Sequence, residues 1–99
     1  MKTKIETTAV IYRTFHSGDA IALFPFIPSD IYGHHCESYQ QIGQHGGATP
    51  DLMRHGTRAS TPDEIAPLRD ELTRIGYTLK ELKRFPRNAF DVRKAAIRA

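Results

Sequence analysis

The stretch Thr7–Phe26, TTAVIYRTFHSGDAIALFPF, decides how this chain folds. Thr7 to Phe15 mixes β-branched and aromatic side chains, the types that fit a pleated, half-buried surface, and predicts a strand. Ser17-Gly18-Asp19 predicts a tight turn, because Gly18 reaches positive φ at little steric cost. Residues 20–26, AIALFPF, predict a second strand that ends at Pro25. Two such runs about a short glycine turn make an antiparallel hairpin. The second run is apolar at nearly every position, so it should lie centrally and be covered on both faces.

Downstream of the hairpin, Pro25 and Pro28 predict an exit from the sheet, because neither can donate to a ladder. Residues 35–42, HCESYQQI, predict a third strand with weak alternation. Gly43 to Asp51, GQHGGATPD, carries no bulky apolar side chain and reads as a loop, with Gly43 and Gly46-Gly47 supplying turns. Thr49 and Pro50 then predict the start of a single helical turn. The plainest helix signal is STPDEIAPLRDELTRIG, where Thr61 caps, Pro62 takes the first helical position and Glu64 completes a capping box. Ile65, Leu68, Leu72 and Ile75 follow at spacings of 3, 4 and 3, one apolar stripe on a charged helix. Gly76 predicts its left-handed end. Tyr77–Leu82 predicts a returning strand, and a short basic helix runs from Asn88. The order β-β-β-α-β-α predicts an α+β fold, a small antiparallel sheet with the helices packed on one face.

Ninety-nine residues bound this to a single domain, 1–99, with 39% apolar and 25% charged side chains, the balance of a globular chain. No apolar run approaches the roughly 20 residues that a membrane helix requires. MKTKIETT has a signal peptide's lysines without its apolar segment, and one cysteine cannot form an internal disulfide, so a cytoplasmic setting is expected. Charge is unevenly placed. Residues 1–76 hold seven Lys/Arg against nine Asp/Glu, whereas the basic C-terminal segment, 77–99, holds seven against two. That segment suits an acidic partner.

Four constellations carry candidate chemistry. His34-His35-Cys36 with His45 and His55 offers zinc ligands, but successive residues of an extended chain point to alternate sides and no paired ligand spacing is present. Cys36 with His35 or His45 offers a nucleophile and base without any surrounding nucleophile signature. GQHGG offers a phosphate cradle, yet it matches no nucleotide-binding pattern, and Pro50 and Asp51 remove an amide and add negative charge. Arg84, Arg87, Arg93, Lys94 and Arg98, with Phe85 or Phe90, offer contact with nucleic acid or an acidic protein. In a helix only Lys94 and Arg98 share a face, so a solvated helix surface accounts for much of this charge.

The pieces GDAIALFP (18–25), CESY (36–39) running into GQHG (43–46), and the segment 72–77 resemble a family of small uncharacterised bacterial proteins over roughly residues 10–80. The resemblance implies an accessory protein of plasmids, phages or other mobile elements, and it brings no established activity. Gln40 and Gln41 stand where that family has a bulkier or histidine-bearing strand. Taken together, these readings imply a non-enzymatic binding or regulatory protein, with no cofactor, that contacts another macromolecule; the resemblance alone implies a host target, for instance a defence complex that is inhibited. The residues expected at the contact are Tyr39, Gln44 and His45 on the glycine-rich side and Arg84, Arg87 and Arg93 on the basic side. A protein partner is favoured over nucleic acid, a membrane is not expected, and the chain is a monomer or a homodimer paired through an open strand edge. A small Cys/His hydrolase or metal protein is the remaining class.

Overall fold

The computed structural model describes residues 7–40 and 44–98. The segment 1–6 and the residues 41–43, which the sequence placed at the end and exit of a third strand, lie outside the described residues. The hairpin forms as expected: β1 (Thr8–Phe15) and β2 (Ala20–Pro28) pair antiparallel with Ile11 opposite Leu23 and Thr14 opposite Ala20. The turn closes by Phe15 N–H donating to Asp19 O at 2.8 Å and Gly18 N–H to Phe15 O at 2.9 Å. Gly18 sits at φ 98°, where a side chain would be strained.

From this hairpin the sheet grows on both sides. β3 (Cys36–Gln40) pairs with β2, and β4 (Gln44–Ala48) pairs with β3, both antiparallel. The outer edge of β1 is shared: β5 (Thr57–Ala59) takes its C-terminal half antiparallel, and β6 (Leu79–Glu81) takes its N-terminal half parallel. Helices α1 (Pro50–Gly56), α2 (Pro62–Arg74) and α3 (Ala89–Arg98) complete an α+β fold.

Two strand boundaries differ from expectation. β2 does not end at Pro25. It runs on to Pro28 through a register shift, since Phe24 faces Glu37 but the next partner of β3, Cys36, faces Pro28. A bulge needs no ladder donor from the extra residues, which is how Pro25 is accommodated. From Gln44 to Ala48 the glycine-rich stretch is not a loop: in β4, His45, Gly46 and Gly47 face Tyr39, Ser38 and Glu37. Neither Gly46 nor Gly47 has positive φ. A side chain on Gly47 would bring a Cβ within 2.6 Å of Ser29 Oγ, so glycine here permits a close crossing, not a turn. Ser38 Oγ ties the pair by donating to Gly46 O at 2.8 Å.

Strand alternation sorts the core into two layers. Val10, Tyr12, Ala22, Phe24 and Tyr39 lie on one face with Leu68 and Leu72 of α2. Ile11, Ile21, Leu23, Cys36 and Ala48 lie on the other, with Met53, Leu82 and Phe85 packed against them. The helices therefore do not share one face. α2 covers the first, while the 82–87 segment and α3 border the second. The reason is β2 itself: every residue from Ile21 to Pro25 is buried, which demands cover on both sides.

α2 begins as the sequence requires. Glu64 N–H donates to Thr61 Oγ1 at 3.3 Å and Thr61 N–H donates to Glu64 Oε1 at 2.8 Å. Glu64 also receives both guanidinium nitrogens of Arg58, at 2.8 and 2.6 Å, and the hydroxyl of buried Thr14 at 3.1 Å. The Arg58 hydrogen bonds, with the Thr61 amide and the Thr14 hydroxyl behind them, pull the Glu64 carboxyl down to about 2. Because its folded pKa is depressed, its contribution to stability is complete above about 4.5, the ordinary value, and is lost as pH falls through about 2. Urea midpoints followed across that window are expected to fall more steeply for the wild type than for Glu64→Gln. Parallel curves would remove the ion pair from the acid response.

The far end of α2 departs from the apolar stripe. The helix stops at Arg74, and Gly76 at φ 116° reverses the chain. Tyr77 N–H donates to Leu72 O at 3.0 Å and Gly76 N–H to Thr73 O at 3.2 Å, a Schellman closure. Ile75, the fourth member of the stripe, is left 49% exposed. Tyr77 takes its place on the core, its ring stacked on Phe24 at 5.3 Å.

Candidate functional site

The second face of the sheet is incompletely covered, and the gap is a groove of about 770 Å³. Its apolar lining is built from Ile11 of β1, Phe85, Pro86 and Ala89, with Pro50 at the start of α1. Leu82 N–H donates to Val10 O at 2.8 Å, which fixes where the chain leaves β6. Phe85 then packs on the Ile11 layer, and Pro86 O accepts from Ala89 N–H at 3.2 Å as α3 begins. Anchoring Leu82 and Phe85 leaves Lys83, Arg84 and Arg87 on the exposed side of this segment, along the groove.

The electrostatics of the groove are one-sided. Lys83, Arg84 and Arg87 line it together with Arg13 and His34, and none of the described lining residues is acidic. Among the described residues Lys83, Arg84 and Arg87 form no ion pair. The arginines across the sheet are engaged otherwise: Arg58 with Glu64 at 2.6 Å and Arg69 with Glu81 at 2.6 Å. Acidic side chains gather on that far side, where α2 carries Asp63, Glu64, Asp70 and Glu71. With Arg69 and Arg74 on the same helix, α2 keeps a balance of two negative charges, against the basic lining of the groove.

The residues expected at a contact are dispersed by the fold. Arg84 and Arg87 reach the groove. Arg93 lines its inner wall but is buried, 4% exposed, and does not serve as a surface cation. Its Nε donates to Gly33 O at 2.8 Å and its Nη1 to Pro25 O at 2.6 Å. The bulge in β2 frees the Pro25 carbonyl for this bond, and Gly33, at φ 79°, lets α3 approach the turn. Tyr39 belongs to the other face, buried, with its hydroxyl donating to the Glu71 carboxylate. Gln44 and His45 are paired in β4 by their backbones, and their side chains lie outside the described residues.

The catalytic and metal arrangements fare differently from the groove. Cys36 is fully buried, and burial, only partly offset by the Arg93 charge, pushes its thiol up to about 11. A thiol held protonated and shielded is unsuited to nucleophilic attack. His35 turns to Asp30, with Nδ1 3.5 Å from Oδ2, while the Asp30 Oδ1 accepts the His35 amide at 2.9 Å. His34 stacks on Phe90 with ring centroids 5.5 Å apart. No three His, Cys, Asp or Glu side chains among the described residues gather as a metal would require. Of the GQHGG stretch weighed as a phosphate cradle, Gln44 to Gly47 pair in the β3–β4 ladder.

Beside the groove lies an apolar lip. Ile31 and Tyr32 are 74% and 67% exposed in the turn after β2. Tyr32 is in ring contact with His34 at 6.2 Å, and His34 in turn with Phe90 on the groove wall. Comparison with protein-family models, with curated proteins and with solved structures finds no match. Among the described residues no helix is long and apolar enough to cross a membrane.

Proposed function

We propose that this chain is a non-enzymatic binding protein that works by surface contact with another protein, and that the groove with its apolar lip is the contact. The carrying observation is the pairing of unmatched cations, Lys83, Arg84 and Arg87, with an apolar lining and exposed Ile31 and Tyr32. Exposed aliphatic and aromatic side chains grouped beside a concavity are the mark of protein contact. A nucleic-acid reading draws on the same cations, but single-strand binding favours open aromatic rings for bases to stack on. Phe90 already has His34 against its ring, with the Lys94 ammonium 5.3 Å from its centroid. Phe85 is packed into the core layer. The resemblance to mobile-element accessory proteins extends the proposal: the partner would be a host defence complex, blocked by occupancy alone.

Cross-linking pull-down from a bacterial lysate tests this when wild type is compared with Arg84→Glu/Arg87→Glu. Expected is a specific protein recovered by the wild type and lost in the variant, with unchanged circular dichroism. Equal recovery by both, or a tight complex with nucleic acid in a gel shift near physiological salt, would overturn it.

A further inference from the structure

Resting on that reading, we infer that the groove takes a short acidic segment of the partner chain, one that carries an apolar side chain between its carboxylates. Three observations carry this. The volume, about 770 Å³, falls within the roughly 300–1,000 Å³ of sites that bury a drug-sized ligand, room for the anchoring side chains of one segment. The exposed cations Lys83, Arg84 and Arg87 line the groove, so carboxylates of a segment lying along it have cations to meet; Arg13, which also lines it, is already engaged with Thr57. Ile11, Phe85 and Ala89 give a lining that favours an apolar side chain and offers a charged one no partner. Arg guanidinium groups bind carboxylates in a bidentate fork, which adds direction to the attraction.

Charge also argues for the orientation of approach. The acidic α2 side would repel an acidic segment while the groove side draws it in, so encounter is steered to one face. The acidic α2 of a second copy is the competing occupant with the same chemistry, and the test separates the two.

The probe is a fluorescein-labelled peptide, Glu-Asp-Glu-Glu-Leu-Phe-Asp-Glu-Asp-Glu, titrated with the full chain by fluorescence anisotropy. Three controls accompany it: the peptide with Gly-Ser for Leu-Phe, the peptide with Gln and Asn for its acids, and a ten-nucleotide oligothymidine. Expected is binding of the first peptide that weakens as salt rises, with at least tenfold loss for each control. Arg84→Glu/Arg87→Glu is expected to lose at least tenfold as well, and Lys83→Glu to lose less, both with unchanged thermal midpoints because all three side chains are exposed. Equal binding of the uncharged peptide, tighter binding of the oligonucleotide, or no peptide binding by the wild type overturns the inference. A concentration-dependent dimer abolished by Asp63→Lys/Asp70→Lys overturns it in favour of a second copy. If the lysate partner is still lost in the arginine variant while no peptide binds, the acidic occupant is wrong and groove-mediated protein contact stands.

Discussion

Arg93→Met is expected to lower stability by roughly 3 kcal/mol, read as a shift of the urea midpoint with little change in slope. Methionine keeps the length and apolar character of the stem, so the loss isolates the guanidinium. Two charge-assisted hydrogen bonds disappear, and the carbonyls of Pro25 and Gly33 lose the donor they face. Water has poor access to make this good, because Arg93 is 4% exposed. Arg93→Lys should recover only part of the deficit. One ammonium on a flexible stem cannot reproduce a planar fork that reaches the β2 bulge and the Gly33 turn together. A local readout accompanies the global one. Loosening that turn should speed alkylation of Cys36, which lies opposite Pro28 where β3 begins. Wild-type stability in the methionine variant would mean that the two carbonyls find other donors, and that α3 is docked by its apolar side chains.

Arg93 also marks where sequence reading stops. A cationic helix near the C-terminus reads as a solvated surface. The fold turns the helix so that Ala89 and Arg93, one turn apart, face inward, and Phe90 and Ile97 each stay 38% exposed. Only the acceptors explain this, and they come from Pro25 and Gly33, 68 and 60 residues earlier in the chain. The hairpin and the capped α2 were legible because each is set by neighbours in sequence: a glycine turn between two runs of strand-forming residues, and Thr61 with Glu64 three residues on. β4 and β5 were not, because QHGGA and TRA become strands only through β3 and β1 beside them. Half of the groove was visible in the same sense. The excess of positive charge in 77–99 pointed to Arg84 and Arg87, but the apolar lining needed Ile11 and Phe85 to be brought together from opposite ends of the chain.

Leu72→Ala is the second large effect, about 3 kcal/mol, and it separates periodicity from packing. By spacing alone Leu72 and Ile75 are equivalent members of one stripe. In the fold Leu72 is fully buried among Val10, Phe24 and Tyr39, whereas Ile75 caps the helix half-exposed. Removing a buried leucine costs its transfer free energy and leaves a cavity that a stacked Phe24–Tyr77 pair cannot easily collapse into. For a domain of this size that corresponds to a fall in melting midpoint of roughly 12–20 °C. Ile75→Ala should shift the midpoint by only a few degrees, since little apolar surface is removed from the core. The same contrast bears on function. Leu72 lies on the face opposite the groove, so Leu72→Ala, kept below its lowered midpoint, should bind the acidic peptide as the wild type does. Loss of binding in that variant would mean that the two layers are coupled through β2, and that the groove depends on α2 being seated.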